Sequence, residues 1–255
     1  MKAKTPIIFI HGAQQDQACW IAQRGGLASR GYRVLTPDLP GHGTRAGEAA
    51  LPSIEALAQW VVALLEAEGV GQAHIVGHSM GSLVALECAA CFPQRFRSAT
   101  LIGAALPMLV SPVLLDMARE NESEAMGIIN QWSFSVAGQL GRGGMPGGWM
   151  PGLNRCIMAR QKPGVLYVDL LACHAYGRPV ESLSHINVPM LVIAGRQDKM
   201  TSLKAAYAIT KALPHARLEV LQDCGHALMA ERPGEVLDAL RRFIGPPHRD
   251  AIPEA

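Results

Sequence analysis

The pentapeptide Gly77-His78-Ser79-Met80-Gly81 sets a serine between two glycines, where a short apolar run, 73–76, gives way to an apolar segment of helical length, 80–92. Glycines two residues before and two after a serine let the chain turn sharply from strand to helix and lift the hydroxyl clear of the backbone. A serine hydroxyl is a weak nucleophile at neutral pH and needs a base within hydrogen-bond reach, itself held by a carboxylate. His226 in Asp223-Cys224-Gly225-His226 and Asp198 in Ala194-Gly195-Arg196-Gln197-Asp198 each follow a run of strand character, and they come after Ser79 in the order acid, then base. Asp223 is the competing acid. The structural alternative for Ser79 is a glycine-flanked N-cap of a buried helix.

Acyl transfer also needs donors for a developing oxyanion. The amide of Met80, at a helix N-terminus where N–H groups are unsatisfied and the dipole favours negative charge, is the first expected donor. The second is expected from His11-Gly12-Ala13-Gln14 after the first apolar run, with the Ala13 amide preferred and Gln14 the alternative. His11 and His78 are read as turn residues, while His42, His174, His185, His215 and His248 lie in less favourable places. Six cysteines, Cys19, Cys88, Cys91, Cys156, Cys173 and Cys224, are read as free, buried thiols in a chain with no evident secretory signal. Cys88-x-x-Cys91 falls inside a helical pattern with no second pair, so packing is preferred to metal or redox duty there. Cys224, two residues before His226, is likewise read as packing.

These side chains must be carried by something. Apolar runs at 7–10, 33–36, 73–76, 99–102, 190–193 and 217–221 are continuous rather than alternating, the pattern of parallel strands covered on both faces. Helix-length segments near 53–67, 80–92, 201–213 and 233–244 separate them, which gives the rhythm of a doubly wound α/β sheet. Ser53 and Gly69 bracket one helix and Pro233 opens another. In such a sheet Ser79, Asp198 and His226 all fall at the carboxyl edge. Residues 105–186 break the rhythm, hold six of the eleven methionines and read as a helical insertion. Within it, 141–152 has six glycines and two prolines in twelve residues and reads as a mobile, non-helical loop.

Composition narrows the field. The 255 residues are 49% hydrophobic and 17% charged, enough to bury a core without metal or disulfide. A net charge of +2 with no run of Lys or Arg beyond two residues gives no footprint for nucleic acid or anionic lipid. No apolar stretch is long enough to span a membrane or to act as a secretory signal, so a cytoplasmic location is expected. The expected partner is a small-molecule acyl substrate, with no cofactor or metal.

Taken together, His11-Gly12 followed by Trp20, Pro37-Asp38-Leu39-Pro40-Gly41-His42-Gly43, the Gly77-to-Gly81 elbow, Gly195-to-Asp198 and Gly225-His226 resemble the α/β-hydrolase superfamily over 6–104 and 187–245. The resemblance implies a core of 1–104 and 187–245, a helical cap over 105–186 that forms the substrate pocket, and a tail at 246–255. Only ten residues precede His11 in this sequence, so the first two strands of the family are not expected and a sheet of about six strands is. The start somewhat resembles plant methylesterases and hydroxynitrile lyases, but Ala227 stands where those lyases carry lysine. A serine at the elbow argues against haloalkane dehalogenase and epoxide hydrolase chemistry, and the Gly-Pro-Gly oxyanion loop of ring-fission C–C hydrolases is missing. Hydrolysis of an ester or thioester of a small to medium, largely apolar substrate is the expectation. Lyase or cofactor-free oxygenase chemistry, or a ligand receptor on the same scaffold, are the alternatives. The methionines with Trp132, Phe134 and Trp149 suggest an apolar pocket or simple cap packing; Arg142, Arg155, Arg160 and Arg178 could bind an acidic group, but most are expected to be solvated and none is assigned to a site.

Overall fold

The computed structural model describes residues 4–141 and 148–245. Six parallel strands, β1 (Ile7–Ile10), β2 (Val34–Leu35), β3 (Ala73–His78), β4 (Phe96–Ile102), β5 (Met190–Gly195) and β6 (Ala216–Leu221), form one sheet in the order β2-β1-β3-β4-β5-β6. Strand order therefore reverses between β1 and β3. That is where a doubly wound sheet opens a crevice at its carboxyl edge.

Period-two side-chain alternation sends the strands' apolar groups to two separate cores. Ile8, Ile10, Ile75, Leu101 and Val192 pack with α2 (Ile54–Ala67) and α3 (Met80–Cys91), and α9 (Leu203–Ala212) joins the same layer through Ala206 and Ile209. Ile7, Phe9, Val76, Ile102 and Ile193 pack on the opposite face with Leu27 of α1 (Ile21–Ala28) and with Val236 and Leu240 of α11 (Pro233–Ile244). Each such side chain, fully buried, is worth roughly 1.5–3 kcal/mol. Ser53 caps α2 by accepting from the Ala56 amide at 3.2 Å, and Gly69, at φ +66°, follows the end of that helix.

Between β4 and β5 lie α4 (Pro112–Glu120), α5 (Glu122–Ser133), α6 (Val136–Gln139), α7 (Met150–Ala159) and α8 (Val165–Ala175). They contain a third core, in which Leu114, Met126, Ile129, Met158, Leu166 and Leu170 meet. A short α10 (Leu228–Glu231) precedes α11. None of the helices described is long and apolar enough to cross a membrane.

Several elements differ from the sequence reading. The strand expected at 33–36 shrinks to Val34–Leu35, since β2 is an edge strand that pairs only with β1. β3 and β5 run on through Gly77-His78 and Ala194-Gly195, where the ladder continues to β4 and β6. Helix α7 begins at Met150, inside the segment read as unable to hold a helix. Pro151 sits in the first turn, where a missing N–H costs nothing, and Gly152 lies flat against the Trp149 indole. The rest of that loop, 142–147, with Arg142 and Met145, and the tail at 246–255, with His248, lie outside the described residues.

Candidate active site

Ser79 occupies a strained turn. Its φ of +52° and ψ of −118° are unfavourable for a residue with a β-carbon, and the backbone is held there by the Ser79 N–H donating to Ile102 O at 2.9 Å. The flanking glycines are sterically required. A β-carbon on Gly77 would collide with the Gly81 carbonyl, and one on Gly81 with the carbonyls of Ile10 and His11. The turn can thus close only where two chains touch backbone to backbone. Ser79 is half-buried, and its hydroxyl makes no hydrogen bond to His226 among the described residues.

His226 and Asp198, from the loops after β6 and β5, are brought together: Nδ1 of the imidazole lies 2.8 Å from Asp198 Oδ2. The other carboxylate oxygen accepts from the amides of Met200 and Thr201, both at 2.8 Å, and the Thr201 hydroxyl donates to Oδ2 at 2.6 Å. Burial pushes the Asp198 carboxyl up, but the His226 ring and the Thr201 donors outweigh it and hold the group below its ordinary range. An ionised Asp198 can only accept, so the neutral imidazole keeps its proton on Nδ1. Nε2 is then bare, and it is buried without a partner among the described residues. It belongs to a residue that lines the same cavity as Ser79, a space of about 240 Å³ beneath α4, α5, α7 and α8. Asp223, the competing acid, is engaged with Gln197 at 3.2 Å and makes no hydrogen bond to His226.

Three other histidines frame the site. In His78 the Nε2–H donates to His226 O at 2.8 Å, which ties the base's backbone to the elbow. Burial and the neighbouring His226 lower its pKa to about 3, so it stays neutral. His11 accepts from the Leu39 amide through Nε2 at 3.0 Å, so its Nδ1–H donates to Gly12 O at 2.9 Å and fixes the loop after β1. Its pKa falls to about 4, chiefly through burial and then through His42. His42 behaves oppositely. Its two nitrogens face Pro40 O at 3.1 Å and Asp169 Oδ2 at 2.9 Å, acceptors both, so both must carry protons. Burial works against that charge, yet Asp169 prevails and raises the pKa.

Asp169 belongs to α8, and the same Oδ2 accepts from the Gln14 amide at 2.8 Å. The Gln14 N–H is therefore committed, whereas no hydrogen bond from the Ala13 or Met80 amide occurs among the described residues. Ala13 lines the cavity and Met80 opens α3, its side chain fully buried. Both amides are therefore uncommitted among the described residues.

Met108 and Met158 line the cavity, as does Trp132, whereas Met126 and Met150 fill the packing of the inserted helices and Phe134 is buried outside the cavity. Arg160 grips Asp16 through two bonds of 2.6 Å, and Arg178 reaches Glu87 at 2.6 and 2.9 Å. Arg155 bonds Ser123, and none of these three lines the cavity. The cysteines are free, but Cys19 is only half-buried and Cys91 and Cys156 are exposed, Cys91 because it is the last residue of α3 and Cys156 because it falls on the outward side of α7. Cys224 packs with Leu228 and Met229, and burial pushes its thiol pKa up, away from the thiolate form.

A family model described as the alpha/beta hydrolase fold matches residues 5–233. The chain belongs to that family. Among the relatives of this α/β-hydrolase is the dihydrolipoyllysine-residue acetyltransferase component of the acetoin cleaving system of Cupriavidus necator, 28% identical over 94% of this chain and 63% of that protein. The corresponding Pseudomonas putida component is 39% identical over 40% of this chain and 27% of its own length, so the chain spans less than two thirds of either relative. A 2-hydroxy-6-oxononadienedioate/2-hydroxy-6-oxononatrienedioate hydrolase of Burkholderia vietnamiensis is 27% identical over 92% of this chain and 87% of that one. Among solved structures, an N-acyl homoserine lactone degrading enzyme superimposes with a TM-score of 0.83 at 26% identity, covering 94% of this chain and 93% of that one.

Three residues important to this α/β-hydrolase's geometry were not singled out from the sequence. Thr201 follows Asp198 by three positions, a spacing at which a hydroxyl and an amide commonly close on an aspartate. Asp169 offers no local signal, since its partners are 127 and 155 residues away. Glu231 is nearly fully buried and accepts from the Gly225 amide at 2.7 Å, the Ser135 amide at 3.1 Å and the Ser135 hydroxyl at 2.5 Å. It pins the loop carrying His226 to the inserted helices.

Proposed function

We propose that this chain is a serine hydrolase that cleaves a carboxylic ester or thioester of a small to medium, largely apolar substrate by way of an acyl-enzyme. The supporting observation is the bare Nε2 of His226 in the cavity lined by Ser79, with Nδ1 committed to Asp198. In this reading Nε2 takes the Ser79 proton as Oγ attacks the carbonyl carbon. The Ala13 and Met80 amides hold the resulting oxyanion. Its collapse expels the alcohol or thiol, which receives the proton from His226. Water, deprotonated by the same nitrogen, then attacks the acyl-enzyme and releases the acid with Ser79 restored. Asp198 fixes the ring's tautomer and offsets the charge that forms on it. His78, with its pKa near 3, anchors the loop and is not the base.

Residues 105–186 serve in this reading as a cap over the substrate. Met108, Leu114, Met158 and Leu170 supply adaptable apolar walls for an acyl chain. A second reading draws on the 2-hydroxy-6-oxononadienedioate/2-hydroxy-6-oxononatrienedioate hydrolase among the relatives, and in it the same groups would act as in the ring-fission C–C hydrolases rather than on an ester. The loop His11-Gly12-Ala13-Gln14, without a Gly-Pro-Gly sequence, favours the ester. A panel of p-nitrophenyl esters of increasing acyl length decides. Turnover that peaks at short or medium chains and falls by about 10⁴-fold or more in Ser79→Ala supports the proposal, and unchanged turnover in that variant overturns it.

A further inference from the structure

Three polar side chains lining the largely apolar cavity keep a buried atom without a partner among the described residues, His226 Nε2, His78 Nδ1 and Gln15 Oε1, and of these Gln15 has no part in the reaction proposed above. Gln15, two residues beyond Ala13, lines the cavity and is 9% exposed, and its Oε1 has no hydrogen-bond partner among the described residues. Its amide nitrogen donates to Asn154 Oδ1 of α7 at 3.0 Å. Asn154 Nδ2 donates to Asn130 Oδ1 of α5 at 2.8 Å, and Asn130 Nδ2 donates to the Pro151 carbonyl at 3.0 Å.

This relay has only one direction. A peptide carbonyl can only accept, so Asn130 must turn its nitrogen to Pro151 and its oxygen to Asn154. Asn154 must then offer its own oxygen to Gln15, and Gln15 must answer with its nitrogen. Turning the Gln15 amide over would set two carbonyl oxygens against each other, and each repair would move the conflict along the relay until it met Pro151. The acceptor at Gln15 is thereby oriented by a carbonyl three side chains away. A buried acceptor without a donor costs roughly 1–3 kcal/mol, and the surrounding amides leave it no protein donor.

We infer that Gln15 is a specificity-determining residue, and that the substrate's acyl portion carries a hydrogen-bond donor, a hydroxyl or a secondary amide N–H, which pairs with Gln15 Oε1. The inference rests on the cavity being the substrate site. Two residues of chain span at most about 7 Å, so Gln15 stands on the same loop as the Ala13 amide that holds the oxyanion in the proposed reaction. A site built around one unpaired acceptor discriminates strongly against an analogue that leaves it unpaired, more than apolar contacts discriminate by size.

Methyl hexanoates bearing hydroxyl, methoxy or hydrogen at each position from C2 to C6 test this, with acid release followed by titration at constant pH. At one position the hydroxy ester should exceed both analogues in kcat/KM by about tenfold or more, and Gln15→Met should collapse that ratio toward one. No preference at any position in the unaltered enzyme overturns the inference, and so does a ratio that persists in Gln15→Met. Calorimetric binding of the corresponding hydroxy and methoxy acids to the Ser79→Ala protein gives a readout that needs no turnover. Tighter binding of a hydroxy acid with no ester hydrolysed would leave the role of Gln15 standing and remove the esterase reading. Turnover with equal binding of both acids would do the reverse.

Discussion

The sheet core and the inserted helices approach the same cavity by different physics. On the core side, Ser79 is placed by backbone contact: glycines where β-carbons cannot fit, a ladder bond to Ile102, and apolar packing on both faces of the sheet. On the insertion side, the loops carrying Ala13 and His226 are placed by buried polar groups, Asp169 on the Gln14 amide and Ser135 with Glu231 on the Gly225 amide. The core defines where the reactive atoms can be. The insertion holds two of their loops, so in the proposed reaction a change in the inserted helices would be felt as a change in chemistry.

The largest expected effect breaks the insertion side. Glu231→Ala leaves the Gly225 and Ser135 amides buried without an acceptor, and should remove about 3–5 kcal/mol from the unfolding free energy in a urea titration. A loss below about 1 kcal/mol would show that the contact is ornamental. Next in size is a change on the core side that removes no polar group. Gly103 follows β4 at φ +59°, and a β-carbon there would stand 3.0 Å from His226 Cε1. Gly103→Val should push the ring aside and lower kcat by about 100-fold with the fold retained by circular dichroism. Unchanged kcat would mean that the ring's position is not critical.

The smallest effect sharpens the comparison through pH. Asp169→Asn removes the carboxylate that holds Gln14 and should lower kcat by about tenfold, with KM little altered. Because the His42 pKa is raised in the fold, its pairing stabilises fully below about pH 6.5, the unfolded value, and that contribution is lost as pH rises through the folded pKa. The stability gap between the unaltered protein and Asp169→Asn should therefore narrow above about pH 6.5. His11 and His78 run the other way. Their pKa values fall to about 4 and about 3, so below about pH 6.5 the unfolded chain takes up protons that the fold refuses, and stability drops by up to roughly 1.4 kcal/mol per pH unit for each. Urea titrations between pH 4 and 8 read both trends.

What could be read from the sequence follows the same division. The elbow, the six strands and the loops bearing Asp198 and His226 are local patterns, each written within about ten residues, and apolar runs announce burial directly. The polar clamps are not local. Nothing near Asp169, Glu231 or Asn154 in the sequence tells that they meet His42, Ser135 and Gln15, because those meetings depend on how the inserted helices settle on the sheet. The start of α7 was obscured for a different reason. Pro151 and Gly152 read as helix breakers by type, and only their position in a first turn makes them harmless.

Activation of Ser79 by His226 is the central step of the proposed reaction, and the most direct measurement of it is the rate and location of labelling by a fluorophosphonate, read by mass spectrometry. A single adduct on Ser79, formed at least about 10³-fold more slowly in His226→Ala, is the predicted result. An adduct on another residue, or labelling of Ser79 at an undiminished rate in His226→Ala, would contradict it.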